Sequence, residues 1–156
     1  MEKANMKNQK PEYGVYAMLQ GSDKYPDLQG KVTFREVYGG TMVSVFAEGL
    51  PENKMGNFYG LHIHEGGNCT GNEADPFQNA GGHYNPTKAE HPFHAGDMPV
   101  IMGNHGIAWC EFYTDRFHPE DVVGKTVIIH DMADDFRSQP SGDAGEKIAC
   151  GVIQMM

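Results

Sequence analysis

The chain has 156 residues, including 20 glycines and 9 prolines, and a formal net charge of −9 at pH 7. The length fits one domain with its own core, and the glycine and proline content suits short elements joined by many turns. The negative charge argues against nucleic acid and anionic membrane surfaces as partners, and no apolar run approaches the roughly 20 residues that a membrane span requires.

In chain order, residues 1–11 are predicted to form a flexible N-terminal segment, and they include no apolar signal region. Residues 12–156 are predicted to form one domain of short strands, because β-branched and aromatic residues cluster or alternate between Gly, Asn and Pro turns. The predicted strands are residues 13–19, 31–37, 41–47, 58–65, 100–102, 106–113, 125–130 and 147–154. Eight such strands indicate an all-β fold, an antiparallel Greek-key sandwich or barrel.

Two long segments without predicted secondary structure interrupt the strands, residues 66–99 and 131–146. Long loops inside a compact domain are usually functional or disordered. Five of the eight histidines lie between Gly60 and Asp97, and His130 directly precedes the second loop. Because imidazole is the commonest metal ligand among side chains, we expect both loops to be functional and ordered around metal.

The first loop supplies three imidazoles and one carboxylate, a complete tetrahedral set that is typical of structural zinc. These residues are His83, His91, His94 and Asp97. His62 and His64 are two residues apart on a predicted strand, so their side chains lie on the same face, about 6.5–7 Å apart along the chain. They can converge on one ion, although an isolated pair of this kind can equally be exposed to solvent. His130 is a further candidate ligand, and a core position would also suit its place at the end of T-V-I-I-H.

Three cysteines are too few for a disulfide-framework domain and wrongly spaced for a cysteine-based zinc finger. One disulfide and one free thiol is the simplest arrangement. Cys110, in A-W-C-E-F-Y, resembles a strand residue that packs as a small hydrophobe. A Cys69–Cys150 bridge is a hypothesis; it would tie the metal loop to the last strand and suit an oxidising compartment.

Six motifs together resemble the copper/zinc superoxide dismutase family. In the family's order they are G-L-H-I-H-E, G-G-H-Y-N-P, H-A-G-D, G-K-T-V-I-I-H, A-D-D and I-A-C-G-V-I. The strand pattern extends the resemblance over essentially the whole chain, and A-G-D-M-P and F-Y-T-D-R-F resemble bacterial members. The resemblance implies an oxidoreductase that disproportionates superoxide to oxygen and hydrogen peroxide, with a copper ion cycling between Cu(II) and Cu(I) and a structural zinc ion.

The resemblance also assigns roles by position in these motifs. It implies the copper ligands His62, His64, His83 and His130. It implies the zinc ligands His83, His91, His94 and Asp97. His83 would bridge both metals, and on copper reduction it would release copper and take up a proton for the next superoxide. Asp134 would hold one copper and one zinc histidine, and Cys69 and Cys150 match the family's disulfide.

The chain departs from the family pattern at the anion site, where D-A-G-E-K-I-A-C places Lys147 at a position usually held by arginine. Lysine offers a point charge without arginine's fork, so Lys147 is predicted to be a catalytic residue that captures superoxide more weakly. The segment between Cys69 and His83 is longer than usual. The second loop is acidic, and anion steering needs a positive funnel, so we expect a rate below the family's best with little or reversed salt dependence.

The alternative function is a non-catalytic copper-binding or buffering protein on the same fold, which the loss of the arginine favours and the intact ligand set opposes. Superoxide is the expected partner, and family members are often dimers, so a homodimer is compatible with the resemblance. An extracytoplasmic location, whether periplasmic, cell-surface or secreted, is expected if a signal peptide has been removed. A cytoplasmic location stays open.

Overall fold

The computed structural model describes residues 14–156, so the predicted flexible segment over residues 1–11 and the start of the first predicted strand lie outside the described residues. The strands of the described part are β1 (Gly14–Gly21), β2 (Gln29–Val37), β3 (Gly40–Glu48), β4 (Phe58–Tyr59), β5 (Leu61–His64), β6 (Ile101–Met102), β7 (Ala108–Thr114), β8 (Thr126–His130) and β9 (Lys147–Met155). Two short 3₁₀-helices complete the regular structure, Gln78–Ala80 and Pro119–Val122. Neither of these helices is long and apolar enough to cross a membrane.

Seven strands form one antiparallel sheet in the order β5-β8-β9-β1-β2-β3-β7, and β4 pairs with β6 in a small second sheet. The chain passes from β4 into β5 through Gly60, and β6 packs against β7. The small sheet therefore links the two edges of the large one, which curls into a barrel. The long crossing from β7 on one edge to β8, which lies next to β5 at the other edge, gives the Greek-key connection, and the predicted all-β antiparallel fold is confirmed.

The predicted fourth strand, residues 58–65, is interrupted at Gly60 and forms β4 and β5. Gly60 donates its N–H to the carbonyl of Met132 (2.8 Å), and its own carbonyl accepts the N–H of His130 (2.9 Å). Gly60 thereby pairs with the end of β8 and the start of the second loop, while β4 turns to pair with β6. The sequence pattern cannot reveal this break, because side chains before and after Gly60 continue to alternate between the two faces of the sheet.

The interior of the barrel is filled by apolar side chains that alternate along the strands, as in β1, where Val15, Ala17 and Leu19 point inward. A smaller apolar cluster lies outside this core, beneath the first long loop. It consists of Phe77, Ala80, Ile128 and Cys150, with Cys69 packed against it. This cluster attaches the loop to the outer face of β8 and β9, so the loop is folded onto the barrel.

Candidate metal centre

Strand β5 is the edge of the large sheet, and the first loop extends that edge. Isolated bridges pair His64 with His83 and His62 with Asp97. Between them, Ile63 donates its N–H to Gly96 (2.9 Å) and accepts the N–H of Tyr84 (2.8 Å). The backbone of the loop thus carries His83 and Asp97 to the two histidines of β5, much as additional strands would.

The structure brings the predicted ligands together as two overlapping groups, within each of which one ligand atom per residue lies within 4.8 Å of all the others. The first group is His62, His64, His83 and His130. The second group is His83, His91, His94 and Asp97. His83 belongs to both. Four nitrogens suit copper in either oxidation state, and three nitrogens with one carboxylate suit tetrahedral zinc.

The tautomers in the first group are fixed by backbone carbonyls, which can only accept hydrogen bonds. The Nδ1 of His64 lies 2.7 Å from the carbonyl oxygen of Gly81, and the Nδ1 of His130 lies 3.3 Å from that of Gly145. Each Nδ1 must therefore carry the proton. The two unprotonated Nε2 atoms then face each other at 3.4 Å, so their two lone pairs converge on one point, an arrangement that suits a bound cation.

Asp134 joins the two groups. Its Oδ2 accepts a hydrogen bond from the Nε2 of His62 (2.6 Å), and its Oδ1 accepts one from the Nε2 of His91 (2.8 Å). These bonds leave the Nδ1 atoms of both histidines free. Together with the Nε2 of His83, they are buried ring nitrogens without a hydrogen-bond partner among residues 14–156. Buried polar atoms are rarely left unpaired, and metal ligation explains all three.

In the second group, three Nδ1 atoms gather around one carboxylate. Asp97 Oδ1 lies 2.8 Å from His83 Nδ1, and Asp97 Oδ2 lies 3.1 Å from His91 Nδ1 and 3.3 Å from His94 Nδ1. Asp97 Oδ2 also accepts the backbone N–H of His94 (3.0 Å), which fixes the carboxylate. His83 therefore presents Nδ1 to this group and Nε2 to the other, as a ligand shared by two metals would.

Burial keeps the imidazoles neutral and ready to bind metal. It lowers the pKa of His64 to about 3, and the ammonium group of Lys147 acts in the same direction. Burial likewise lowers the pKa values of His62 and His130. For Asp134 burial acts in the opposite direction, but the hydrogen bonds from His62 and His91 prevail and lower its pKa to about 2.

One side of the centre opens into a cavity of about 1450 Å³ between the two loops. His64, His83, His94 and His130 line it. Lys147 also lines it, because β9 places this residue opposite His130 across a bulge in the β8–β9 pairing. Its ammonium group, however, already contacts the carboxylate of Asp75, with Nζ 2.8 Å from Oδ2.

The charged side chains that line this cavity are mostly acidic. They are Asp23, Lys24, Glu73, Asp75, Glu146 and Lys147. Four carboxylates against two lysines give a formal charge of −2 with the histidines neutral. Lys24 is also paired, with its Nζ 3.4 Å from Glu146 Oε2. Both lysines of the cavity therefore contact an acid.

The predicted Cys69–Cys150 disulfide is confirmed, with the two Cα atoms 5.7 Å apart. Cys110 is a free, half-buried thiol on β7, as expected for a strand residue that packs as a small hydrophobe. The disulfide joins the first loop to β9 three residues after Lys147. It therefore fixes one wall of the cavity relative to the predicted anion site.

Sequence reasoning missed three residues that hold the second group in place. Gln139 accepts the N–H of His91 (3.0 Å) and donates to its carbonyl (2.7 Å). Arg116 donates to the carbonyls of Pro92 (2.7 Å) and His94 (3.2 Å). Gly142 has a φ of +77°, and a Cβ there would lie 2.0 Å from Oδ1 of Asp134. None of the three belongs to a metal-ligand motif. Only Gly142 carries a hint in the sequence, because a glycine in a loop can mark a left-handed backbone or a close approach.

Comparison with known proteins agrees with this geometry. The family model described as copper/zinc superoxide dismutase matches residues 28–153. The chain is 36% identical over 150 residues to "Superoxide dismutase [Cu-Zn]" of Deinococcus radiodurans, a match that covers 85% of this chain and 80% of the relative. It is 27% identical over 139 residues to "Extracellular superoxide dismutase [Cu-Zn]" of Mus musculus, covering 82% of this chain and 54% of that protein.

Among solved structures, the fold is similar to that of "Cu/Zn superoxide dismutase from Brucella abortus". The TM-score is 0.75 at 24% sequence identity, and the match covers 89% of this chain and 98% of the other. That likeness supports the barrel architecture, while the family model and the Deinococcus relative establish kinship. The chain belongs to the copper/zinc superoxide dismutase family.

Proposed function

We propose that this chain, with residues 12–156 as a single domain, is a superoxide dismutase whose copper and zinc sites share His83. The copper ligands are His62, His64, His83 and His130. The zinc ligands are His83, His91, His94 and Asp97. The observation that carries the proposal is the convergence of unprotonated ring nitrogens on one side of His83, opposite a complete N₃O set on the other.

Copper held by the first set would alternate between Cu(II) and Cu(I), oxidising one superoxide to oxygen and reducing a second, with two protons, to hydrogen peroxide. The chain supplies the positioning for this chemistry. The carbonyls of Gly81 and Gly145 orient His64 and His130, so little reorganisation is needed at either ring. The Nε2 of His83 is a buried ring nitrogen without a hydrogen-bond partner among residues 14–156, and it can hold the proton required by the second half-reaction.

Lys147 is the proposed site of anion capture. It lines the same cavity as His64 and His130, and its charge contributes to lowering the pKa of His64. The acidic cavity supports a rate below that of members with a positive funnel, with little or reversed salt dependence. Replacement Lys147→Ala is expected to lower the second-order rate constant by about tenfold, and an unchanged constant would show that the anion is captured elsewhere.

The test of the proposed function is superoxide decay followed by pulse radiolysis on protein loaded with one equivalent each of copper and zinc, with metal content measured on the same sample. We expect turnover that disappears in His130→Ala, together with its copper, while zinc is retained. Full copper occupancy with decay no faster than for the metal-free protein would favour the alternative, a copper-binding or buffering protein.

Two further features belong to this proposal. The disulfide supports an extracytoplasmic location, because such bonds persist in oxidising compartments, and cell fractionation would test it. A homodimer is supported by Phe46 and Trp109, which are directly opposed on β3 and β7 and are 40% and 75% exposed. Light scattering that gives a monomer mass at micromolar concentration would contradict the dimer.

A further inference from the structure

We infer that Asp75 sets the anion affinity of the copper cavity by occupying the ammonium group of Lys147, so that an incoming anion must displace a carboxylate. This inference rests on the copper set and the role of Lys147 proposed above. It adds a residue outside the ligand set and outside the motifs that define the family.

The ion pair is built into the loop. Asp75 Oδ1 accepts the backbone N–H of Phe77 (3.1 Å), while Asp75 Oδ2 contacts the ammonium of Lys147 (2.8 Å). The backbone N–H of Asp75 is held in turn by the side chain of Asn72 (2.9 Å). One oxygen of the carboxylate is thus used to close a turn, and this turn aims the other oxygen at the lysine.

The surroundings fix both partners. Phe77 is buried against Ile128 and Cys150, and the Cys69–Cys150 disulfide holds the loop to β9, the strand that carries Lys147. The lysine side chain is 17% exposed and that of Asp75 38% exposed. The pair therefore lies at the wall of the cavity. It is shielded enough from solvent for the ion pair to persist, and exposed enough for a small anion to compete with Asp75 for the ammonium group of Lys147.

The chemistry predicts the direction of the effect. A lysine that already contacts a carboxylate offers an incoming monoanion less net attraction than a free ammonium, since the fixed negative charge repels the anion as it approaches. The second hydrogen bond of the Lys147 ammonium group, to the carbonyl of Phe77, is long at 3.4 Å. Asp75 is therefore the principal competitor for this ammonium within residues 14–156.

Azide is a suitable probe, because it is a small monoanion that binds Cu(II) and adds a visible charge-transfer band. In Asp75→Asn, the amide oxygen can still accept the N–H of Phe77, while the NH₂ group replaces the oxygen that faces Lys147. We expect azide to bind the copper- and zinc-loaded variant about fivefold more tightly, the ratio that corresponds to losing a partly exposed ion pair. The superoxide rate constant should rise in parallel.

Two controls separate competition from a general change in charge. Glu73→Gln removes the same charge from the same cavity and the same loop, and within residues 14–156 Lys147 pairs with Asp75 and not with Glu73. It should change azide affinity by less than twofold. In a Lys147→Met background, Asp75→Asn should have no further effect, since the coupling between the two positions is what the inference asserts.

Weaker or unchanged azide binding in Asp75→Asn would overturn the inference, and so would an equal gain in the Lys147→Met background. If the asparagine variant does not fold or bind copper, Asp75→Ser retains an acceptor for Phe77 and must give the same gain. Failure of the proposed copper site is distinguishable, because no azide band would then form with the parent protein either.

Discussion

The two sides of His83 differ in how completely the chain surrounds them. On the zinc side, His91, His94 and Asp97 are buried and the donor set is complete. Asp134, Gln139 and Arg116 fix these ligands through side-chain and backbone contacts. On the copper side, His62, His64 and His130 are equally buried, and their rings are oriented by Asp134 and two backbone carbonyls. The open face of this side is a cavity of net negative charge. Different residues therefore determine the geometry of the ligands and the access of substrate to the copper site.

The largest expected effect comes from the disulfide, which fixes the wall of the copper cavity. Replacing both Cys69 and Cys150 with serine frees a loop of 81 residues, which should lower the free energy of unfolding by about 4 kcal/mol. Denaturant unfolding of the metal-free protein would measure it. The matched control is Cys110→Ser, a half-buried free thiol, which should cost about 1 kcal/mol. Equal losses in both variants would contradict the assigned role.

A second test concerns the zinc side and Gly142. Alanine there combines a left-handed backbone with a Cβ 2.0 Å from Asp134 and 2.6 Å from the Nε2 of His91. We expect zinc affinity to fall about 10- to 100-fold, as when an outer carboxylate is disturbed, measured by competition with a chelator. Gly124 has a φ of +83° with nothing within 4 Å, so Gly124→Ala should cost stability alone. An equal fall in zinc affinity in both variants would refute the role assigned to the contact between position 142 and Asp134.

A third test uses acid, which acts on the histidines of the copper side. Burial lowers the pKa values of His62, His64 and His130 in the folded state, so the unfolded chain binds more protons. Stability of the metal-free protein is therefore complete above about pH 6.5, the unfolded value. It falls as the pH drops towards 3, by about 1.4 kcal/mol per pH unit for each histidine. Asp134 adds a further loss between about pH 4 and 2. Thermal melts that do not change between pH 7 and 4 would contradict this.

The smallest effect is expected for Gln139, which contacts the backbone of His91 and leaves the ring to Asp134. Gln139→Ala should weaken zinc binding by less than about tenfold, because the ring remains oriented. Gln139→Glu keeps the acceptor for the His91 N–H but turns a carboxylate oxygen towards the His91 carbonyl, so it should weaken zinc binding at least as much as alanine. If Gln139→Ala abolished zinc binding, the hydrogen bonds to the backbone of His91 would contribute more to zinc affinity than the bond from its ring to Asp134.

Sequence reasoning reached the fold class and two partial ligand groups from local patterns, whereas His130 as a copper ligand and the shared role of His83 came from the resemblance to the family. Alternation placed His62 and His64 on one face, and a filled donor set identified Asp97. What it missed depends on contacts between distant parts of the chain. The break at Gly60 arises from pairing with Met132, and the neutralisation of Lys147 by Asp75 joins residues 72 positions apart. No periodicity records such pairs.

The sharing of His83 joins the two sides and is the claim most directly open to measurement. If zinc is held through the Nδ1 of His83, a neutral His83 ring would carry its proton on Nε2. His62, His64 and His130 would each already offer an unprotonated ring nitrogen. Copper added at pH 7 should therefore release about one proton per chain, as measured by calorimetry in buffers of different ionisation enthalpy. Full copper binding without proton release would contradict a shared His83.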